Sequence, residues 1–174
     1  RVTHNADFTE DDKALSPVLS SAQITIDDSK ASIRNGKISC VIAKSGWLEF
    51  YSDKKPILKE YYRGFGNANE HSPSMKFHAR EFKAVSGNDY SITARFESQD
   101  GEKIFGMGQY QQPELDLKGC VLELAQRNSQ ISVPFYLSNK GYGFLWNNAG
   151  IGEVMFGKNY TQWRSKLSEE LDYW

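Results

Sequence analysis

An excess of charge of one sign is the first thing missing. The chain sets 21 Lys and Arg against 22 Asp and Glu, a formal net charge of -1. A protein that holds nucleic acid electrostatically carries a basic excess, so no nucleic-acid partner is expected. No block of like charge marks an acidic or basic tail. Long apolar runs are also missing. Nothing approaches the ~20 apolar residues of a spanning helix, and no charged-then-apolar leader follows Arg1. No membrane association is expected, and the expected location is cytoplasmic. Cysteine is scarce, with only Cys40 and Cys120. Their spacing makes neither a metal motif nor a redox motif. Both lie among apolar neighbours and read as buried free thiols, which favours a reducing compartment. Histidine is scarce too. His4, His71 and His78 are not spaced as ligands, so neither a metal nor a cofactor is expected. Helical periodicity is absent too. No window of ten or more residues repeats at 3.6, and one short helical turn is expected at Glu10–Lys13.

What is present is a succession of short β-type segments. The 174 residues are 39% hydrophobic. That is one domain able to bury roughly 70% of its unfolded surface, and it is shorter than the about 250 residues of a (β/α)₈ barrel. Gln23–Ile26 and Ala31–Arg34 alternate polar and apolar residues on either side of Asp27–Lys30. Asn35-Gly36 is a strong hairpin signal before Lys37–Ala43. Further strands are expected at Trp47–Ser52, Ile57–Tyr62, Phe77–Val85 and Tyr90–Glu97, the last with Ile92, Ala94 and Phe96 on one face. The series continues through Ser132–Ser138, Tyr142–Asn147, Gly152–Phe156, Asn159–Arg164 and Glu170–Trp174. Pro134 places its strand at an edge, a strand start or a bulge. Val133 is expected to face the interior, so Val133→Asp should damage folding. About a dozen short strands with regular turns predict an all-β antiparallel sandwich or barrel in a single domain, 1–174. Leu171-Asp172-Tyr173-Trp174 reads as a strand cut in mid-course, and both ends read as excision points.

Taken residue by residue, the chain offers little catalytic chemistry. Phe105-Gly106-Met107-Gly108-Gln109 has two glycines and no following helix, so it reads as a tight β-corner and not a phosphate loop. Glu114, Asp116 and Glu123 form one carboxylate group; Glu169, Glu170 and Asp172 form another. Glycoside hydrolysis needs two carboxyl groups across the scissile bond, but both groups sit among turns and strand ends and read as solvated charges. Of the tryptophans, Trp146 reads as core. Trp163 and Trp174 are the candidates for exposure.

One stretch carries more. It runs from Phe105-Gly106-Met107-Gly108-Gln109, through Leu115–Gly119 and Glu123–Asn128, to Val133-Pro134-Phe135-Tyr136-Leu137-Ser138-Asn139-Lys140-Gly141-Tyr142-Gly143-Phe144-Leu145-Trp146-Asn147-Asn148, and ends at Leu171–Trp174. In order and spacing it resembles the N-terminal domain of glycoside hydrolase family 31, the α-glucosidases and α-xylosidases. The resemblance covers residues 105 to 174. It implies a galactose-mutarotase-like β-sandwich followed by a (β/α)₈ barrel that carries both catalytic aspartates. No catalytic residue is then expected in this chain. The implied partners are its own C-terminal catalytic barrel and an oligosaccharide substrate. The resemblance also implies a substrate loop between the glycine corner and the Val133–Tyr136 strand, at Gln126, Arg127 and Asn128. Many members have Asp at the position of Asn128; an amide there donates and accepts hydrogen bonds without charge. Two other readings stay open: a stand-alone carbohydrate-binding module, and a mutarotase-like sugar epimerase using His71 or His78 with a carboxylate.

Overall fold

The structure is a computed structural model that describes residues 1–5, 21–64, 76–148 and 150–174. Among these residues there is no helix, and seventeen strands lie in antiparallel sheets. The expected turn at Glu10–Lys13 and His71 lie outside the described residues. The strand number exceeds the dozen read from sequence because four strands are two-residue pairings: β1 (Val2–Thr3), β7 (Arg63–Gly64), β8 (Lys76–Phe77) and β17 (Glu170–Leu171). Pairs this short carry no periodicity to read.

Three sheets make the body. The first is a meander of β2 (Gln23–Ile26), β3 (Lys30–Asn35), β4 (Ile38–Ala43), β5 (Leu48–Ser52) and β6 (Lys55–Lys59), each strand beside the next. Its turns are built as the sequence suggested. Asp27 Oδ1 accepts from the N–H groups of Ser29 and Lys30 at 2.8 and 2.9 Å, and β3 and β4 close on the pair Asn35↔Ile38. The second sheet joins β12 (Val121–Leu124), β15 (Gly152–Phe156), β16 (Tyr160–Ser168), β10 (Asp89–Glu97) and β9 (Arg80–Ser86), in that order. The third joins β11 (Ile104–Gln109), β13 (Ile131–Ser138) and β14 (Tyr142–Leu145).

The second and third sheets face each other and enclose the core, which gives the β-sandwich. Ala94, Trp163 and Val154 lie side by side on β10, β16 and β15 and are fully buried. From the opposite sheet come Met107, Tyr136 and Phe144. The Trp163 ring stacks on Phe144 at 5.2 Å and on Trp146 at 5.5 Å. Aromatic pairs at these separations add to the burial of their area. Trp163 therefore does not face solvent as its sequence position suggested. It lies on a strand flanked on both sides, and its inward face meets the second layer. Trp146 is core, and Trp174 is 52% exposed.

Cys40 and Cys120 are free but only half-buried. Burial, then the Glu60 charge, pushes the Cys40 thiol up to about 11. Val133 also departs from expectation. It alternates with buried neighbours but points away from the core, at 45% exposure. Val133→Asp therefore places its charge in solvent. Asp172 is likewise not a solvated carboxylate. It is 1% exposed, accepts from Asn147 Nδ2 at 2.6 Å and faces Arg1 Nε at 3.2 Å.

Candidate functional site

The site begins at the glycine corner. Gly106, Met107 and Gly108 have consecutive positive φ angles of 116°, 69° and 91°. Here β13 bulges against β11: the pairing jumps from Gly106↔Tyr136 to Gly108↔Ser132, so three residues of β13 lie opposite Met107 alone. The corner turns the Met107 side chain fully into the core. Pro134 falls in this extra stretch of β13; its carbonyl accepts from the Trp146 N–H at 2.9 Å, so its missing N–H falls just past the last β13–β14 pair, Phe135↔Leu145. Of the three placements its sequence allowed, the bulge is the one adopted. The corner then delivers Gln109 beside Ile131.

Residues 125–130 cross from β12 in one sheet to β13 in the other. Side chains hold the stem of this loop. The Gln126 amide accepts from the Ser132 N–H at 3.1 Å and donates to the Ser132 carbonyl at 2.8 Å. Gln130 Nε2 donates to the Ala125 carbonyl at 3.2 Å. The Tyr110 hydroxyl donates to the Glu123 carbonyl at 2.8 Å and lies 2.7 Å from Ser132 Oγ. At the tip, Arg127 pairs with Gln130, and the Gln130 N–H donates to the Arg127 carbonyl at 3.2 Å. Ser129 carries φ 66° at the third turn position, the left-handed conformation that a type II turn requires and that glycine usually supplies. Strain of this kind persists only where the surroundings hold it, as the glutamine and tyrosine bonds do here.

The three expected loop residues thus have separate roles. Gln126 is a stem residue whose amide is spent on β13. Arg127 holds Glu123 through two bonds, of 3.0 and 2.7 Å, both side chains being about half exposed. Mutual hydrogen bonding lowers the Glu123 carboxyl and raises the Arg127 guanidinium from their ordinary values. Asn128 is exposed at the tip, and its side chain has no hydrogen-bond partner among the described residues. A hollow of about 420 Å³ lies under it, lined by Gln109, Gln111, Arg127, Asn128, Ser129 and Ile131. A second hollow of about 300 Å³ lies at the stem, where Gln126, Ser132 and Asn148 surround apolar Leu124, Trp146 and Ile151. Amides, one guanidinium and hydroxyls line these hollows. Such groups recognise neutral hydroxyls by donating and accepting. With no carboxylate in the lining, they supply no acid–base pair for bond cleavage.

Sequence reasoning missed Gln109, Tyr110 and Gln111. The available signal was the run Gln109-Tyr110-Gln111-Gln112 directly after the corner, which holds three side-chain amides. Of the epimerase candidates, His78 is exposed and packs at 6.2 Å from the Tyr62 ring. Among the described residues no three His, Cys, Asp or Glu side chains gather as a metal site.

The glycosyl hydrolase 31 N-terminal galactose mutarotase-like domain matches residues 2–154 as a family. The chain belongs to this family. A protein of Pseudescherichia vulneris described as an uncharacterized family 31 glucosidase is 47% identical over 185 aligned positions, covering 100% of this chain and 35% of that relative. An alpha-xylosidase of Saccharolobus solfataricus is 32% identical over 94 residues, 49% of this chain and 13% of the relative. Among solved structures, a family 31 alpha-xylosidase from a soil metagenome, complexed with xylose, superposes with a TM-score of 0.88 at 43% identity. It covers 99% of this chain and 27% of that one. A xylosidase from Aspergillus niger gives 0.70 at 25% identity over 83% of this chain and 20% of that one. The family 31 match takes in the first half of the chain, where the motifs read from sequence did not reach. The chain spans about a third of the length of the Pseudescherichia relative, at 35%.

Proposed function

We propose that this chain is the N-terminal, non-catalytic domain of a family 31 retaining α-glycosidase acting on α-xylosides or α-glucosides. In this reading the barrel that follows in the same polypeptide supplies the catalytic carboxylates. This domain packs on the barrel and presents the 125–130 loop to the oligosaccharide.

The loop carries the reading. Its stem is pinned by Gln126, Gln130 and Tyr110, while the Asn128 amide stands unengaged over a hollow large enough for a sugar ring. A rigid support under an unsatisfied polar tip is how a binding group is held ready for a ligand. Asn128 brings both donor and acceptor capacity to that position without charge. The near-zero net charge of the chain accords with a neutral substrate, which needs no electrostatic steering.

In the longer protein, Asn128→Ala should raise KM or change aglycone preference on aryl α-xylosides and α-glucosides, with unfolding unchanged because the side chain is exposed. Unchanged kinetics on every substrate would remove the loop from recognition. The 174-residue chain alone should show no turnover; hydrolysis above background would refute the accessory-domain reading.

A further inference from the structure

An exposed tryptophan is clamped from beneath by a buried ion pair. Trp47 lies in the turn between β4 and β5 and is 37% exposed. The Glu60 side chain is 1% exposed, and its Oε1 faces Arg80 Nε at 3.0 Å. This pair holds the main chain on both sides of Trp47. The Leu48 N–H donates to Glu60 Oε2 at 3.0 Å, and the Arg80 guanidinium donates to the Gly46 carbonyl. Two turn bonds tighten the clamp. The Gly46 N–H donates to the Ala43 carbonyl at 2.8 Å, and the Ala43 N–H donates to the Trp47 carbonyl at 2.9 Å. Desolvating two charges is costly even when they pair. Here the pair fixes the placement of a side chain that faces solvent. The Tyr62 ring continues the surface, its centroid 4.5 Å from that of Trp47 and its plane tilted by 32°. Gly64 admits that ring, since an added Cβ would meet it at 2.9 Å. His78 is exposed and follows at 6.2 Å from Tyr62.

The three rings make a shelf of flat apolar faces with polar edges: an indole N–H, a phenol and an imidazole. A pyranose with equatorial hydroxyls has the matching surface. Its C–H groups form an apolar face, and its hydroxyls point outward from the rim. Other ligands match less well. A cation over a ring gains from a free carboxylate beside it, but Glu60 is buried and paired with Arg80. A stable protein interface buries about 1,200–2,000 Å², and two rings of about 150–250 Å² each fall short of that. Rigid rings on a fixed support also bind with little loss of conformational freedom. We infer that Trp47, Tyr62 and His78 form a binding shelf for a neutral oligosaccharide, separate from the 125–130 loop. His78 leads into β9 and the loop leaves β12, the two opposite edges of the second sheet. Four strand spacings of ~4.8 Å set those edges about 19 Å apart. The inference goes beyond the proposed function, because the shelf is built wholly from residues of this chain that the loop does not use.

Iodide quenching of intrinsic fluorescence tests this on the 174-residue chain. Trp146 and Trp163 are 2% and 0% exposed. In a Trp174→Phe background the iodide-accessible emission therefore comes from Trp47. Cellotetraose and maltotetraose are the probes. At least one of them should shield that emission saturably at millimolar concentration. In calorimetry, Trp47→Ala should weaken the same binding about tenfold. It should leave circular dichroism unaltered, because the ring stands on the surface. Trp174→Phe should bind as wild type does. Iodide quenching unchanged by either sugar would overturn the inference. So would binding that survives Trp47→Ala, which would move the sugar elsewhere, as to the hollow under Asn128, and leave the proposed function standing. Shielding that grows with protein concentration in the absence of sugar would make the occupant a second copy and would overturn it too. Saturable shielding by a sugar, together with a longer protein that hydrolyses no α-xyloside or α-glucoside, would leave the shelf standing and sink the proposed function alone.

Discussion

Gly108 joins the fold to the loop, and replacing it by alanine separates two effects that usually arrive together. Its φ of 91° lies where an L-residue is strained, at about 1–2 kcal/mol. Its neighbours add a steric cost. A Cβ there would stand 2.3 Å from the Ile131 carbonyl oxygen and 2.9 Å from the Val133 nitrogen, both backbone atoms of β13. Backbone in the middle strand of a sheet cannot rotate aside as a side chain can, so β11 and β13 must part, at the about 1–3 kcal/mol of an overpacked site. Gly108→Ala should therefore destabilise by about 2–5 kcal/mol in all. Gly119→Ala is the control. Gly119 has φ 96° and no heavy atom within 4 Å of its added Cβ, so it should lose only the conformational part, about 1–2 kcal/mol. Urea unfolding followed by circular dichroism measures both, provided the slope m stays constant. For a domain of this size each kcal/mol corresponds to about 2–4 °C in Tm. A Gly108→Ala variant no less stable than Gly119→Ala would refute the argument that β13 crosses the corner at contact distance.

Two further outcomes follow from the core. Trp163→Ala removes a fully buried indole stacked on Phe144 and Trp146. It should cost about 3–5 kcal/mol in the same urea assay, and a loss below about 1 kcal/mol would show that the sheets do not meet at Trp163. Glu60 is a pH probe. Burial pushes its carboxyl above the ordinary glutamate value of 4.5, opposed by the Arg80 guanidinium 3.0 Å away and by the Leu48 N–H. The folded state thus binds this proton more tightly than the unfolded chain. The stabilisation is full below the ordinary value and is lost as pH rises through the raised one. Glu60→Gln cannot ionise, so its stability relative to wild type should improve from pH 4.5 towards neutrality. Parallel stability–pH curves for the two proteins would refute this.

Much of the β pattern was legible because local chemistry fixes it. Asn35-Gly36 closes a hairpin by its own conformational preference, and Ile92, Ala94 and Phe96 alternate because one face of β10 meets the core. Apart from the two-residue pairings, Ile104–Gln109 and Val121–Leu124 escape the sequence pattern. The first contains the corner, whose two glycines break the alternation. The loop at Gln126, Arg127 and Asn128 was found through family resemblance and not through residue chemistry. Nothing local shows that Gln126 reaches Ser132 or that Arg127 turns back to Glu123, since both bonds depend on how the chain crosses between sheets.

The sequence by itself determined that this is an all-β domain and that Gly106 and Gly108 mark a corner. Turn propensity, two-residue periodicity and residue counts are local quantities. Only the tertiary structure decided which faces are covered. Trp163 and Val133 each occupy a strand and each alternates with its neighbours, yet one is sealed between sheets and the other looks outward. Alternation assigns a side chain to one of two faces. Which face is the interior depends on the sheet that packs against it, and that sheet is built from residues distant in the chain.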